Sequence, residues 1–243
     1  MSNSRKRRSK SLEERVLDAG VAATRSGESF PSESSLAEMF GVSRPVLREA
    51  LARLDESGLV FRSQGASTVL NKAALELVGR FDQFGEFSDV ITDAGMKAAL
   101  ELIGEEIQPW SEHIHGPFRS QPEYVLRSVK RWTANGVPVR AVVDVVPLPK
   151  DFDRSMVTGG DSVLKVVSRL FNESATWEIA VPTAILATAK VSRWLRVRPR
   201  SPLLLLRTIG ITTSGQECFQ SLDYHVPGLI PQGFIRVIRE SGK

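Results

Sequence analysis

Residues 43–58 read SRPVLREALARLDESG, and how this stretch folds decides the architecture around it. Val46, Leu47, Ala50, Leu51 and Leu54 recur with helical period, while Arg44 and Arg48 fall one turn apart on the flank of that stripe. Ser43 stands at the N-cap position, and Pro45 falls in the first turn, where its missing N–H costs nothing. Gly58 closes the helix. The apolar stripe is built for packing, so the two arginines on its flank are left for another task.

Upstream, Leu12, Val16, Ala19, Ala22 and Ala23 predict a helix that Gly27 and Pro31 break. SESSLAEMF (32–40) predicts a second, short helix capped by Ser32 or Ser34, with Leu36, Ala37 and Phe40 as its apolar face. Gly41 ends it, and GVSR turns directly into the 43–58 helix. Downstream, LVFRSQGASTVL (59–70) alternates around Gly65 as a small hairpin. Residues 11–70 therefore read helix, helix, turn, helix, wing, which is a winged helix-turn-helix.

The chain has 243 residues, 42% hydrophobic and 25% charged, which suits two modest soluble domains. Its apolar runs, such as Leu203–Leu206, are strand-sized and far short of the ~20 residues a membrane helix needs. Cys218 is the single cysteine, so an internal disulfide and a cysteine-based zinc site are both excluded, which fits a reducing cytoplasm. No apolar stretch follows the basic N-terminus, so no secretory signal is expected. Arg5, Lys6, Arg7, Arg8 and Lys10 give the first ten residues five positive charges; the whole-chain charge of +4 then leaves −1 for the remainder. Residues 11–70 hold six Lys and Arg against nine Asp and Glu, a net −3. The basic tail reads either as a disordered solubilising segment or as a phosphate-contacting arm.

The run FPSESSLAEMFGVSRPVLREALARLDESGLV (30–60) resembles the N-terminal DNA-binding domain of GntR-family transcription regulators, matching their PSE, LAE, FGVSR, REAL and GLV elements in order. The resemblance implies a third helix that enters the major groove, with Arg44, Arg48 and the wing-tip Gly65 touching DNA. The full DNA-facing set expected from it is Ser43, Arg44, Pro45, Val46, Arg48, Arg62 and Gly65. Arginine suits the role because its planar fork grips guanine O6 and N7 together, and a helix N-terminus favours phosphate. The competing reading is that Arg44 and Arg48 merely pair with Glu49 or Asp55 on a solvated surface. Ser34 departs from the family, which often has arginine after PSE, so one contact is expected to be missing there.

Beyond residue 70 the periods change. EYVLRSVKRWTANGVPVRAVVDVVP (123–147) predicts two strands joined by an Asn-Gly turn, and LLLLRTIGITTSGQECFQSLDYHVPG (203–228) two more joined at 214–216. SVLKVVSRLF (162–171) and AILATAKVSRWL (184–195) carry helical periods, and GFIRVIRE (233–240) predicts a closing strand. The fold class is therefore α+β, with an antiparallel sheet in the second domain rather than the helical bundle with a metal site found in another GntR subfamily. ANGVPVRAVVDVVP, DSVLKVVSRL and RSPLLLLRT resemble the UTRA effector domain of the HutC-type subfamily, over most of residues 80–240. That resemblance implies a chorismate lyase-like fold and a small effector, often a phosphorylated sugar or organic acid, whose binding alters DNA affinity. The expected segments are a disordered basic tail (1–10), the winged helix-turn-helix (11–70), a linker (71–82) and the UTRA-like domain (83–243).

Carried over to this sequence, the effector pocket falls on Phe87, Ser88, Lys130, Trp132, Asp144, Ser162, Phe219 and His225. Phe87, Ser88 and Asp89 match an aromatic, hydroxyl and acid at a helix start, where free N–H groups hold anions. Lys130 and Trp132, two apart on a strand, share a face where many sugar-phosphate binders have two arginines. Acids that commonly meet sugar hydroxyls are replaced by Val142 and Phe219. Ser162 opens a helix after Gly159-Gly160-Asp161, and either Tyr224 or His225 could fill the family's tyrosine position. The alternative reading makes Trp132, Val142 and Phe219 plain core.

These readings predict a sequence-specific DNA-binding regulator, a cytoplasmic homodimer on a palindromic operator, acting as a repressor released by a small anionic metabolite. No cofactor, metal or membrane is expected, since His113-x-His115 is too short a pattern for a metal site. An enzyme of chorismate lyase-like fold is the first rival, but there is neither a nucleophile elbow nor a phosphate-cradling glycine loop. A sequence-neutral DNA-binding protein is the second, favoured by the basic tail and disfavoured by an effector-sized second domain.

Overall fold

The computed structural model describes residues 10–62, 67–82, 86–116, 118–157, 160–236 and 238. It divides into two compact units, residues 1–84 with 231–243, and residues 85–230. In the first unit, α1 (Leu12–Arg25) opens with a capping box: Ser11 Oγ accepts from the Glu14 N–H at 3.1 Å, and the Glu14 carboxylate accepts from the Ser11 N–H at 2.7 Å. Ser32 caps α2 (Glu33–Phe40) by accepting from the Ser35 N–H, and Gly41 ends it at φ +64°, the left-handed conformation that lets the chain turn tightly into α3 (Arg44–Glu56). Ser43 and Pro45 take the positions expected at the start of α3. Val16, Leu36, Leu47, Leu51, Leu54, Val60 and Leu70 form the core of this unit. Val46 leaves the expected stripe and stands 47% exposed. β1 (Val60–Phe61) and β2 (Val69–Leu70) pair antiparallel as the base of the wing. Residues 63–66, which include Gly65, lie outside the described residues, as does the tail before Lys10.

The expected 71–82 linker contains structure. Asn71 Oδ1 accepts from the Ala74 N–H to start α4 (Lys72–Leu75), and β3 (Gly79–Arg80) follows. The second unit then runs α5 (Phe87–Asp93), β4 (Ala98–Pro109), α6 (Glu112–His115), β5 (Tyr124–Ala134), β6 (Val137–Pro147), α7 (Val163–Phe171), β7 (Ala175–Leu186), α8 (Ala189–Leu195), β8 (Pro202–Thr212) and β9 (Glu217–His225), with one 3-10 turn at Arg154–Met156. Its six strands form one antiparallel sheet in the order β4-β5-β6-β9-β8-β7. Asn135 (φ +50°) and Gly136 (φ +82°) make the predicted hairpin turn, both in the left-handed region that such turns require.

Two expectations for this domain are corrected, and two strands are added. AILATAKVSRWL is not one helix: Ala184–Leu186 ends β7, and the helix begins only at Ala189. β4 and β7 were not foreseen: Leu100 and Leu102 of β4 and Trp177, Ile179 and Val181 of β7 do alternate, but these edge strands are exposed over most of their length. Of GFIRVIRE, residues 237, 239 and 240 lie outside the described residues, and the described ones do not join the six-stranded sheet. β10 (Gln232–Gly233) instead pairs in parallel with β3, in the first unit.

The register of β5 on β6 governs everything that follows. Ala134 pairs with Val137 and Thr133 with Pro138, but Trp132 pairs with Arg140, so a bulge moves the ladder by one residue. Pro138 has no N–H to give to the ladder, and bulges are where sheets tolerate this. Beyond the bulge, Lys130 and Trp132 share a face with Arg140, Val142 and Asp144 of β6, and then with Phe219, Ser221, Asp223 and His225 of β9. α7 covers one part of this face through Val166 and Val167 over Leu126, Val146 and Phe219. α8 covers the opposite face, over Ala141, Leu203 and Tyr224.

Candidate functional site

Around α3 the burial divides the helix lengthwise. Leu47, Ala50, Leu51 and Leu54 are buried, whereas Ser43, Arg44, Pro45, Val46 and Arg48 are all exposed at its N-terminal end. The Ser43 side chain makes no capping bond, so its hydroxyl is not consumed by the helix. Neither arginine pairs with Glu49 or Asp55 as the surface reading supposed. Glu49 is bound by Arg53, which also reaches Glu13 and so ties α3 to α1. Asp55 accepts from the Arg62 backbone N–H. Arg48 donates from Nε to Glu33 at 2.8 Å, and Arg62 donates to the other oxygen of the same carboxylate at 2.9 Å. Six of the seven expected DNA-facing residues are thus placed, and Gly65 falls outside the described residues.

On the sheet, the expected pocket residues converge in part. Phe87, from α5, lies edge-on to Trp132 at 6.2 Å between ring centroids and to His225 at 5.8 Å. The Arg140 guanidinium sits 4.5 Å from the Phe87 ring centroid and 5.0 Å from that of Trp132. Asp223 holds Arg140 through bonds from Nε at 2.7 Å and Nη2 at 2.5 Å, and lies 3.0 Å from His225 Nε2. Burial pushes the Asp223 carboxyl up, but Arg140 and His225 outweigh it and hold the group well below the usual carboxylate range. Tyr224 points to the other face and packs with Trp194, so His225 is the residue on the pocket side.

Lys130 is the main correction. The resemblance sets it where sugar-phosphate binders carry arginine, but it is 2% exposed and donates to Asp144 at 3.2 Å, and Asp144, 4% exposed, also accepts from Ser221 at 2.6 Å. Its charge is already answered. Phe219 belongs to the core beneath α7, its ring lying where a Cβ on Gly210 would come within 1.9 Å, so position 210 must be glycine. The α5 start suits an anion poorly, since Glu86 occupies its N-cap and Asp89 its first turn. Ser88 stands in that turn, half-buried. Two groups of the expected pocket residues do remain open: Trp132 Nε1, in a side chain only 8% exposed, and Ser162 Oγ at the N-cap of α7, both buried and without a hydrogen-bond partner. Gly159 lies outside the described residues.

Sequence reasoning missed Arg140, Ser221 and Asp223. Their signal was the period of two, which sets Arg140 on one face with the expected Asp144, and Ser221 and Asp223 with the expected Phe219 and His225. A cavity of about 740 Å³ lies on the opposite face of the sheet, lined in part by Arg127, Lys190, Trp194, Arg207 and Tyr224. It does not include the expected pocket residues. His115 of the His-x-His pair serves the α6 turn: its Nδ1 accepts from the Ser111 N–H at 3.0 Å, and burial lowers its pKa. Among the described residues no helix is long and apolar enough to cross a membrane.

A winged helix-turn-helix followed by an α+β domain with one antiparallel sheet is the class that this fold defines. Residues 11–70 match the family model for bacterial regulatory proteins of the gntR family. The HTH-type transcriptional regulator Mce2R of Mycobacterium tuberculosis is 50% identical over 95 residues, and the match covers 34% of this chain and 40% of that protein, so the chain spans less than half the length of this relative. A probable fructoselysine utilization operon transcriptional repressor of Escherichia coli is 23% identical over 205 residues, 82% of each chain. The crystal structure of the possible transcriptional regulator YydK from Bacillus subtilis has a TM-score of 0.66 at 11% identity, over 95% of this chain and 100% of that one, which is a likeness of fold. Residues 11–70 are therefore a GntR-family helix-turn-helix domain, and the relatives it is similar to are regulators, not enzymes.

Proposed function

We propose that this chain is a sequence-specific transcription regulator of the HutC type, whose sheet domain is a UTRA-like effector domain of chorismate lyase-like fold. The observation that carries the reading is the division of α3 into a core face and an exposed N-terminal end bearing Arg44 and Arg48. In this reading Ser43, Arg44, Pro45, Val46 and Arg48 enter the major groove, Arg62 and Gly65 serve the wing, and the basic tail adds phosphate contacts that offset the net −3 of residues 11–70. Arg48→Ala should cost ~1–3 kcal/mol of discrimination between a duplex selected from a randomised pool and a scrambled duplex. Deleting residues 1–10 should instead weaken both duplexes alike and flatten the salt dependence by up to ~0.9 per lost phosphate contact. Equal losses on both duplexes for Arg48→Ala would reduce it to a phosphate contact.

The regulator is a cytoplasmic repressor that leaves its operator when a small metabolite occupies the Phe87–Trp132–His225 face, by a coupling of ~1–3 kcal/mol. The pairing of Lys130 with Asp144 changes the ligand chemistry from that expected of the sequence. The open donor is Trp132 Nε1, so the effector offers a hydrogen-bond acceptor beside an apolar part, and an anionic group would reach Arg140 only in competition with Asp223. The protein works as a homodimer, because one recognition helix reads too few bases and paired half-sites match a two-fold protein. Trp177, Ile179 and Val181, aligned on the exposed β7, support the sheet as the contact. Light scattering should give a dimer at micromolar concentration, and a monomer with and without the selected duplex would overturn it.

A further inference from the structure

Glu33 draws two of the three candidate DNA-contacting arginines, Arg48 and Arg62, to a single carboxylate. It is the first residue of α2, held there by the Ser32 cap, and its two oxygens are divided: Oε2 accepts from Arg48 Nε at 2.8 Å and Oε1 from Arg62 Nη2 at 2.9 Å. One side chain therefore links α2, the recognition helix and the residue that follows β1 of the wing. The bond from Arg48 uses Nε, which leaves the two terminal nitrogens outside it, and these are the pair that can meet guanine O6 and N7 end-on. The hydrogen bond from Arg48, with Arg62 adding to it, holds the Glu33 carboxyl below the usual carboxylate range, so it is ionised at neutral pH.

Such a contact adds little to folding, because surface ion pairs lose in side-chain ordering most of what they gain. Its effect lies in the ordering itself. An arginine already fixed at Nε loses less freedom when its fork meets a base. The same carboxylate places a negative charge among the cations that would otherwise attract any phosphate backbone, which weakens sequence-neutral binding. We infer that Glu33 is a positioning residue for operator discrimination, fixing Arg48 and Arg62 in reading geometry while disfavouring DNA that offers only phosphates. This rests on the reading of α3 as the groove-entering helix.

The test uses the full chain, a duplex selected by the wild-type protein from a randomised pool, and a scrambled duplex of the same length. Glu33→Gln keeps the side-chain shape but removes the charge, and should lower the affinity ratio between the two duplexes by about tenfold. Binding to the scrambled duplex should itself tighten, with little change in melting temperature. Glu33→Asp keeps the charge but is one methylene too short to span both arginines; it should lower the ratio without tightening scrambled binding. An unchanged ratio in both variants, or a parallel loss on both duplexes together with a fall in melting temperature, would overturn the proposal. Arg48→Ala in the same titration separates the two levels. If it lowers the ratio while Glu33→Gln does not, only the positioning role fails; if it leaves the ratio intact, the reading of α3 fails, and the role of Glu33 with it.

Discussion

Asp223→Ala should destabilise the sheet domain by about 3–5 kcal/mol, measured by urea unfolding. Asp223 is nearly fully buried and supplies the carboxylate for both Arg140 nitrogens and for His225. Without it, the Arg140 guanidinium remains between Phe87 and Trp132 with its charge unanswered, and the loss of desolvation compensation dominates the cost. The double variant Asp223→Leu with Arg140→Met should recover most of that stability, because apolar side chains of similar size need no partner. A double variant as unstable as the single one would show that the pair shapes the fold beyond answering its own charges. The pH dependence has a definite sign. The folded-state pKa of Asp223 is depressed, so its contribution is complete above the unfolded carboxylate pKa of about 4 and is lost as pH falls through that value toward the folded one. Asp223→Asn should lack this part of the acid slope.

Lys130→Ala should cost a similar amount, about 3–5 kcal/mol, since it leaves Asp144 buried with Ser221 as its remaining side-chain donor. A weakened effector response in that variant would therefore report damage to the sheet as readily as a lost ligand contact. Trp132→Phe is the cleaner substitution. It removes an indole N–H that is buried without a partner, and relieving such a group should leave stability unchanged or raise it by up to ~1–3 kcal/mol. The same variant should lose thermal-shift responses to small metabolites that the wild type shows. Retained responses in a fully stable Trp132→Phe protein would move the effector site off this face, with the cavity lined by Arg127, Lys190 and Tyr224 as the next candidate.

The N-terminal unit was legible from the sequence because its signals are local. The period of Leu47, Leu51 and Leu54, the cap at Ser32 or Ser34, and the helix-ending Gly41 each act within a few residues, and the helices form where they point. The hairpin at Asn135-Gly136 was legible for the same reason. The strands β4 and β7 were not: the apolar alternation of Trp177, Ile179 and Val181 lies on an edge strand exposed on both faces, so it marks no core face.

The chemistry of the sheet face was decided only in three dimensions. Counting back from the Asn135-Gly136 turn without a bulge would set Arg140 opposite Arg131 and Asp144 opposite Arg127, both on the far face. The bulge beside Pro138 moves the ladder by one residue and brings Arg140 across from Trp132 and Asp144 within reach of Lys130. Because side chains alternate with period two, that single residue exchanges the two faces. The sequence determined that a lysine, an arginine and two aspartates lie on these strands; the register alone determined that each cation meets an anion, leaving Trp132 Nε1 as the open donor on that face.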